Sequence, residues 1–210
     1  KTANKFINAL ETLPLGCFLV NENQQIYYIN KQFTFLFGYT IDDVSNIDKW
    51  FDNAFTNEQY RTKIIEDWKN NCDILSDGSS KNITQLFQVS TKTGKILTIE
   101  SRMSMFEGEL LVLFNDITFQ KKAEEALLET KELFKNLIEF APEAMVVNNL
   151  HGKYLIVNNA FTKLTSYTPH DILGKKIEAI SLFANPKDEL QIKETLNKKL
   201  KILNFETSIS

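Results

Sequence analysis

Groups able to do chemistry are few in this chain. Its cysteines are Cys17 and Cys72, which stand far apart without CxxC spacing, so neither a zinc knuckle nor a redox pair is read from them. Its histidines, His151 and His170, fall in polar stretches expected to face solvent. Nucleophilic catalysis needs a base beside the nucleophile, and a phosphate site needs a glycine-rich loop. The seven glycines form no such loop. The paired acids Asp42-Asp43 and Glu124-Glu125 sit where helix caps or solvated helix faces are expected, so a structural role takes precedence over acid–base work.

The chemistry is sparse, but the organisation is not. "YYINKQFTFLFGYTIDDV" runs from Tyr27 to Val44, and "LIVNNAFTKLTSYTPHDI" from Leu155 to Ile172. Without a gap, Asn30 falls on Asn158, Phe33 on Phe161, Thr34 on Thr162, Tyr39 on Tyr167, Thr40 on Thr168 and Asp43 on Asp171, each 128 positions apart. A chain of 210 residues exceeds the usual single-domain size of about 100–150, and the repeat decides for two domains. At 43% apolar and 24% charged, it can build cores and is not disordered by composition. A net charge of −3 provides no field for nucleic acid. No run reaches the roughly 18 apolar residues of a spanning helix, and no charged-then-apolar pattern is read in the first residues given. The expected location is cytoplasmic.

Each copy starts with a proline and an apolar strand, "LPLGCFLV" or "APEAMVV", then a polar turn and a second strand, "IYYIN" or "YLIVN". Two short runs split by turn residues predict a hairpin. Asn30 and Asn158 then precede helical patterns and are expected to cap them. Phe33, Leu36 and Phe37, with Phe161 and Leu164 in the second copy, have the spacing of a buried helix face. Thr40–Asp43 and Thr168–Asp171 follow as Thr-x-x-Asp boxes, the second with Pro169 at a first helical position.

A longer helix is expected next, with Thr56-x-x-Gln59 as its cap and Tyr60, Ile64 and Trp68 as its stripe. Asn185-Pro186, Ile192, Leu196 and Leu200 play these parts in the second copy. From Ile83 the period becomes two: "ITQLFQVS", "ILTIESRMSMF" and "LLVLFND", joined by "TKTGK" and "EGE", predict a three-stranded meander. Leu97, Ile99, Met103 and Met105 form its buried face, alternating with Thr98, Glu100, Arg102 and Ser104. The second copy ends at "ILNFETSIS", resembling only the meander's first strand, so a truncated domain of a longer protein is expected. Between the copies, "DITFQKKAEEALLETKELFKNLIEF" contains neither Gly nor Pro, and Ala123, Leu127, Thr130, Phe134 and Leu137 follow four-three spacing. This predicts a helix capped by Thr118 that either pairs with a second copy of itself or docks back on its own domain.

These stretches, with "STKTGKILTIESRMSMFEGELLVLFNDIT" and Asp116-Ile117-Thr118 running into "FQKKAEEAL", resemble tandem PAS sensory domains of a bacterial-type signal-transduction protein such as a histidine kinase. The likeness covers about Phe6 to Thr118 and, truncated, about Leu133 to Ser210. It implies an α+β fold: two PAS-like domains, each a five-stranded antiparallel sheet in the order 2-1-5-4-3 with helices on one face, joined by a long helix, the second incomplete. The expected division is 1–118, 119–140 as a possible coiled coil, and 141–210. The resemblance also implies a pocket between sheet and helices. Phe18, Ile29, Phe33, Phe37, Trp50, Trp68, Phe87, Ile99 and Met103 are its candidates, whether they line a small apolar ligand or fill the space themselves. Transmission is assigned to Asp116, Ile117, Thr118, Ala123, Leu127 and Phe134. Haem-binding members use a histidine on the long helix, absent from the first copy, and the flavin photoreceptors' reactive-cysteine stretch is lacking, so neither haem nor a cysteinyl flavin is expected.

The implied function is that of a non-catalytic sensory input module, homodimeric through the linker helix and followed in cis by an output domain such as a histidine kinase or cyclic-dinucleotide enzyme. The alternative is a passive dimerisation platform that reads no small molecule.

Overall fold

A computed structural model describes residues 2–149 and 151–176, and beyond them residues 180, 185, 187, 188, 190, 191, 194 and 195. The chain divides into two compact units, Lys1–Glu125 and Ala126–Ser210.

The first unit is built on one antiparallel sheet of β1 (Gly16–Val20), β2 (Ile26–Ile29), β3 (Ile83–Ser90), β4 (Ile96–Phe106) and β5 (Glu109–Asp116), in the order β2-β1-β5-β4-β3. The implied PAS-like topology is therefore present. The meander follows from period two: in β4, Leu97, Ile99, Ser101 and Met103 are buried, and the residues between them are not. Helices α2 (Lys31–Phe37), α3 (Ile47–Ala54) and α4 (Glu58–Ser76) carry the core partners of this face, with Phe33 and Phe37, Trp50, and Ile64 and Trp68 buried. The expected helix positions Leu36 and Tyr60 pack against the same core as partly buried residues. Strand β1 is buried along its whole length because the second face is covered too. There α1 (Thr2–Thr12), which the sequence patterns above do not assign, sets Leu10 against Cys17 and Leu19.

Several local expectations are corrected. Asn57, not Thr56, caps α4, its side chain accepting from the Tyr60 N–H. Thr40–Asp43 closes a turn rather than opening a helix, although the Asp43 carboxylate accepts from both the N–H and the hydroxyl of Thr40. In α5 (Thr118–Glu139) Thr118 is already the first helical residue, so its hydroxyl caps nothing there. It accepts from the Thr98 N–H and donates to Asp116, which itself accepts from the Thr118 N–H. The stripe residues of α5, Ala123, Leu127, Thr130, Phe134 and Leu137, are all exposed.

The second unit repeats the first half of this design with β6 (Val146–Asn148), β7 (Tyr154–Val157), α6 (Asn159–Thr165) and α7 (Pro169–Ile172). Tyr154, Val157, Phe161 and Ile172 form its small core, while Leu164, expected beside Phe161, is exposed. Asn185 accepts from the Lys187 N–H. Pro186, Ile192, Leu196, Leu200 and the "ILNFETSIS" strand lie outside the described residues.

The repeat is kept down to backbone conformation, with glycine used reciprocally. Helix α2 ends on Gly38 at φ 77°, and its counterpart Ser166 holds φ 59° without being glycine. The second hairpin turn has Gly152 at φ 71°, where the first has Gln24 at φ 59°. Left-handed backbone costs a residue with a Cβ about 1 kcal/mol. Ser166→Gly and Gln24→Gly are each expected to stabilise their own unit by about 0.5–1 kcal/mol, as read from urea midpoints. Unchanged midpoints would mean that local side-chain bonds already offset the strain.

Candidate functional site

The space between sheet and helices in the first unit, where the resemblance implies a pocket, is occupied by side chains. Phe18, Phe33, Phe37, Trp50, Trp68, Phe87, Ile99 and Met103 all belong to one buried cluster, and Ile29 packs against it partly buried. Their rings interlock in edge-to-face and tilted pairs. Trp50 meets Phe18, Phe33 and Phe37 at centroid separations of 5.9, 5.4 and 5.2 Å. This is the geometry in which positive ring edges meet negative faces, worth about 0.5–1.5 kcal/mol per pair beyond area burial.

Phe114 on β5 is a ring absent from the expected set, as are Tyr39, Phe51 and Phe55 of the same buried cluster. Phe114 lies 5.0 Å from Phe18, 5.4 Å from Phe37 and 5.5 Å from Trp50. The signal was present, because period two from Leu110 through Val112 puts it on the buried face. What remains open is a cavity of about 10 Å³ bordered by Trp50, Phe55, Trp68, Gln85, Phe87 and Ser101. That is room for at most a single water, for which about 10–15 Å³ is needed.

On the sheet's second face an apolar groove of about 720 Å³ runs along Phe6, Leu19, Phe106 and Leu111. Its rim carries the acids Glu107 and Glu109. Phe106 is 67% exposed, so this surface is open where the interior is closed.

Burial pushes the Cys17 thiol up to about 11, with a smaller upward push from Glu11 against the lowering bond from Asn30. Cys72 rises to about 11 for the same first reason, with Asp73 adding to it. Neither is a thiolate at neutral pH, so neither is primed as a nucleophile. Among the described residues no three His, Cys, Asp or Glu side chains are grouped to hold a metal ion. No helix among them is long and apolar enough to cross a membrane. His151 is exposed in the turn before β7, and His170 is exposed on α7.

One surface clamp ties the turn after α2 to the β3–β4 turn. The Lys92 ammonium lies 2.7 Å from Asp43, and Lys92 also donates its N–H to the Phe37 carbonyl. Lys92 first, then the Thr40 bonds, hold the Asp43 carboxyl down at about 2. Tyr39 spans the same region from inside, its hydroxyl within 2.9 Å of the Asn53 carbonyl and 3.1 Å of the Ser90 carbonyl.

The junction into α5 is the second part of the site. Thr98 on β4 both receives and gives: its N–H donates to the Thr118 hydroxyl at 2.8 Å, and its carbonyl accepts from the Ile117 N–H at 3.0 Å. Ile117 is buried and Asp116 closes β5, so the first turn of α5 is bonded directly to the strand that carries Ile99 and Met103. The assigned residues Ala123, Leu127 and Phe134 lie beyond this junction on the exposed helix.

The family described as PAS domain matches residues 14–119 and again 142–208. Among solved structures, a domain of a sensory box sensor histidine kinase/response regulator from Geobacter sulfurreducens is 18% identical, covering 55% of this chain and 94% of that one at a TM-score of 0.43. The N-terminal domain of a diguanylate cyclase with PAS/PAC sensor from Marinobacter aquaeolei is 11% identical, covering 51% and 98% at 0.43. A PAS domain from Colwellia psychrerythraea is 17% identical, covering 56% and 98% at 0.44. No curated protein matches this chain.

Proposed function

This chain belongs to the PAS domain family, and from that premise we propose that it is the sensory input module of a signal-transduction protein, carrying the state of the first domain outward through the inter-domain helix. Its parts on this reading are a sensory domain at 1–118, a connecting helix at 119–140 and an incomplete second domain at 141–210. It acts in the cytoplasm, and an output domain follows in cis. The observation that carries the reading is the junction at Thr98: any displacement of β4 pulls on both Ile117 and Thr118, and so on the first turn of α5.

With about 10 Å³ free, the first domain reads a partner, or a small apolar ligand that enters only as rings move aside. Asp116, Ile117 and Thr118 form the lever. Ala123, Leu127 and Phe134 present the face on which two copies pair, since four-three spacing on an exposed helix is what a two-stranded coiled coil uses. Occupancy then shifts the balance between two packings of the lever, by no more than its differential affinity for them.

The second reading is a passive interaction platform. It is favoured by the groove along Phe6, Leu19, Phe106 and Leu111, which is open while the interior is filled.

A chain ended before Phe119 separates the contributions. Sedimentation velocity is expected to show self-association of the whole chain and a monomer for the shortened one. Equal association of both would move the dimer surface to the sheet and favour the platform. An absorption spectrum and native mass of the purified whole chain would reveal a retained ligand, which the sensory reading allows and the platform excludes.

A further inference from the structure

Asn158 does more than cap α6. Its Oδ1 accepts from the Phe161 N–H at 2.9 Å, which is the capping bond, and from the Met145 N–H at 2.9 Å on the way into β6. Its Nδ2 turns the other way, donating to the carbonyls of Ile138 at 3.0 Å, Glu143 at 2.8 Å and, more weakly, Ala141 at 3.4 Å. The last carbonyls of a helix have no partner inside it, and Ile138 lies in the final turn of α5. One side chain, itself 1% exposed, thus joins the end of the connecting helix to the first strand and first helix of the second domain. Ile138 is also the one residue of α5 that is buried.

A cap needs only an acceptor, which Ser, Thr or Asp supplies as well. The amide donor is what asparagine adds, and here it is spent wholly on the incoming chain. The first copy repeats this at the same offset: Asn30 accepts from Cys17 and Phe33 and donates to the carbonyls of Leu10, in the last turns of α1, and Leu15.

We propose that Asn158 is the receiving pin of the connecting helix, a positioning residue whose amide NH2 fixes the last turn of α5 to the second domain, so that a shift entering at Thr118 arrives at β6–β7. Helix α5 is then a strut bonded at both ends with an exposed middle. This rests on the transmission reading above, but the pin is tested separately from it.

The experiment is hydrogen exchange on the whole chain. Asn158→Asp keeps the acceptor and replaces the donor with an oxygen facing three carbonyls. Amides of the last turn of α5 are expected to exchange at least about tenfold faster, while the Phe161 amide keeps its protection to within a few-fold. Should the aspartate unfold the second domain, Asn158→Ser retains an acceptor for the α6 N–H groups and is too short to reach Ile138. The same separation is expected there. Unchanged protection of α5, or equal loss from α5 and α6 in both variants, overturns the pin.

The second arm adds Thr118→Val, which strands the Thr98 N–H. It is expected to speed exchange across Tyr154–Val157 when Asn158 is present and not when the pin is cut. If Asn158→Asp frees α5 yet Thr118→Val never reaches Tyr154–Val157 in the otherwise unaltered chain, the pin stands and the transmission reading falls.

Discussion

Trp50→Ala is expected to lower the stability of the first domain by about 3–5 kcal/mol, the range for truncating a large buried aromatic, and so to leave it close to unfolding. Trp50 is 2% exposed and touches six other rings, those of Phe18, Phe33, Phe37, Tyr39, Phe55 and Phe114. Those neighbours come from β1, α2, the loops after α2 and α3, and β5, so no single element can close the void by moving. The remaining tryptophan, Trp68, is in the same core and the second domain has none, which makes fluorescence a report on the first domain alone. Urea denaturation followed at Trp68 should show an earlier midpoint with little change of slope.

The same variant tests the filled interior. A dry apolar void accepts small aromatic molecules, so indole is expected to raise the variant's melting temperature and leave the unaltered protein's unmoved. Stabilisation of the unaltered protein by indole would instead mean that the rings already part for a ligand. An unchanged urea midpoint would mean that the ring cluster is not what holds sheet and helices together.

Much of this architecture is legible in the residues because the physics that builds it is local. The meander follows from alternation, the helix faces from Phe33 and Phe37 and from Ile64 and Trp68, and the duplication from an ungapped register. The interior could be listed but not judged full, since packing density depends on where Phe114, brought by a strand far along the chain, meets Phe18. Helix α1 is illegible for a related reason: its apolar residues Ile7 and Leu10, and Leu13 just after it, make sense only against Cys17 and Leu19 on the second face. Caps failed where two polar residues competed nearby. Thr56 and Asn57 are both good caps, and one residue of register decides between them. At Thr118 the hydroxyl found a longer-range partner in Thr98, which no local rule can see.

Asn30 is the sharpest case, because its visible role is the smaller one. Capping of α2 accounts for one of its four hydrogen bonds, while the bonds to Cys17, Leu10 and Leu15 span 13 to 20 residues. Asn30→Ala removes all four and leaves two donors and two acceptors beside a buried site. At about 1 kcal/mol for each lost bond, a cost of about 3–4 kcal/mol is expected, against about 1 kcal/mol for loss of a cap alone. Asn30→Asp separates the two roles by charge. Its carboxylate keeps both acceptor bonds but faces the carbonyls of Leu10 and Leu15, which raises its folded pKa above the ordinary value of about 3.9. A raised folded pKa means stability that is present at low pH and lost as pH rises through it. The difference in stability from the unaltered protein should therefore be small near pH 4 and grow toward neutrality, where it should match or exceed that of the alanine variant. A pH-independent cost of about 1 kcal/mol in both variants would reduce Asn30 to an ordinary cap, and with it the grip of the first domain on α1.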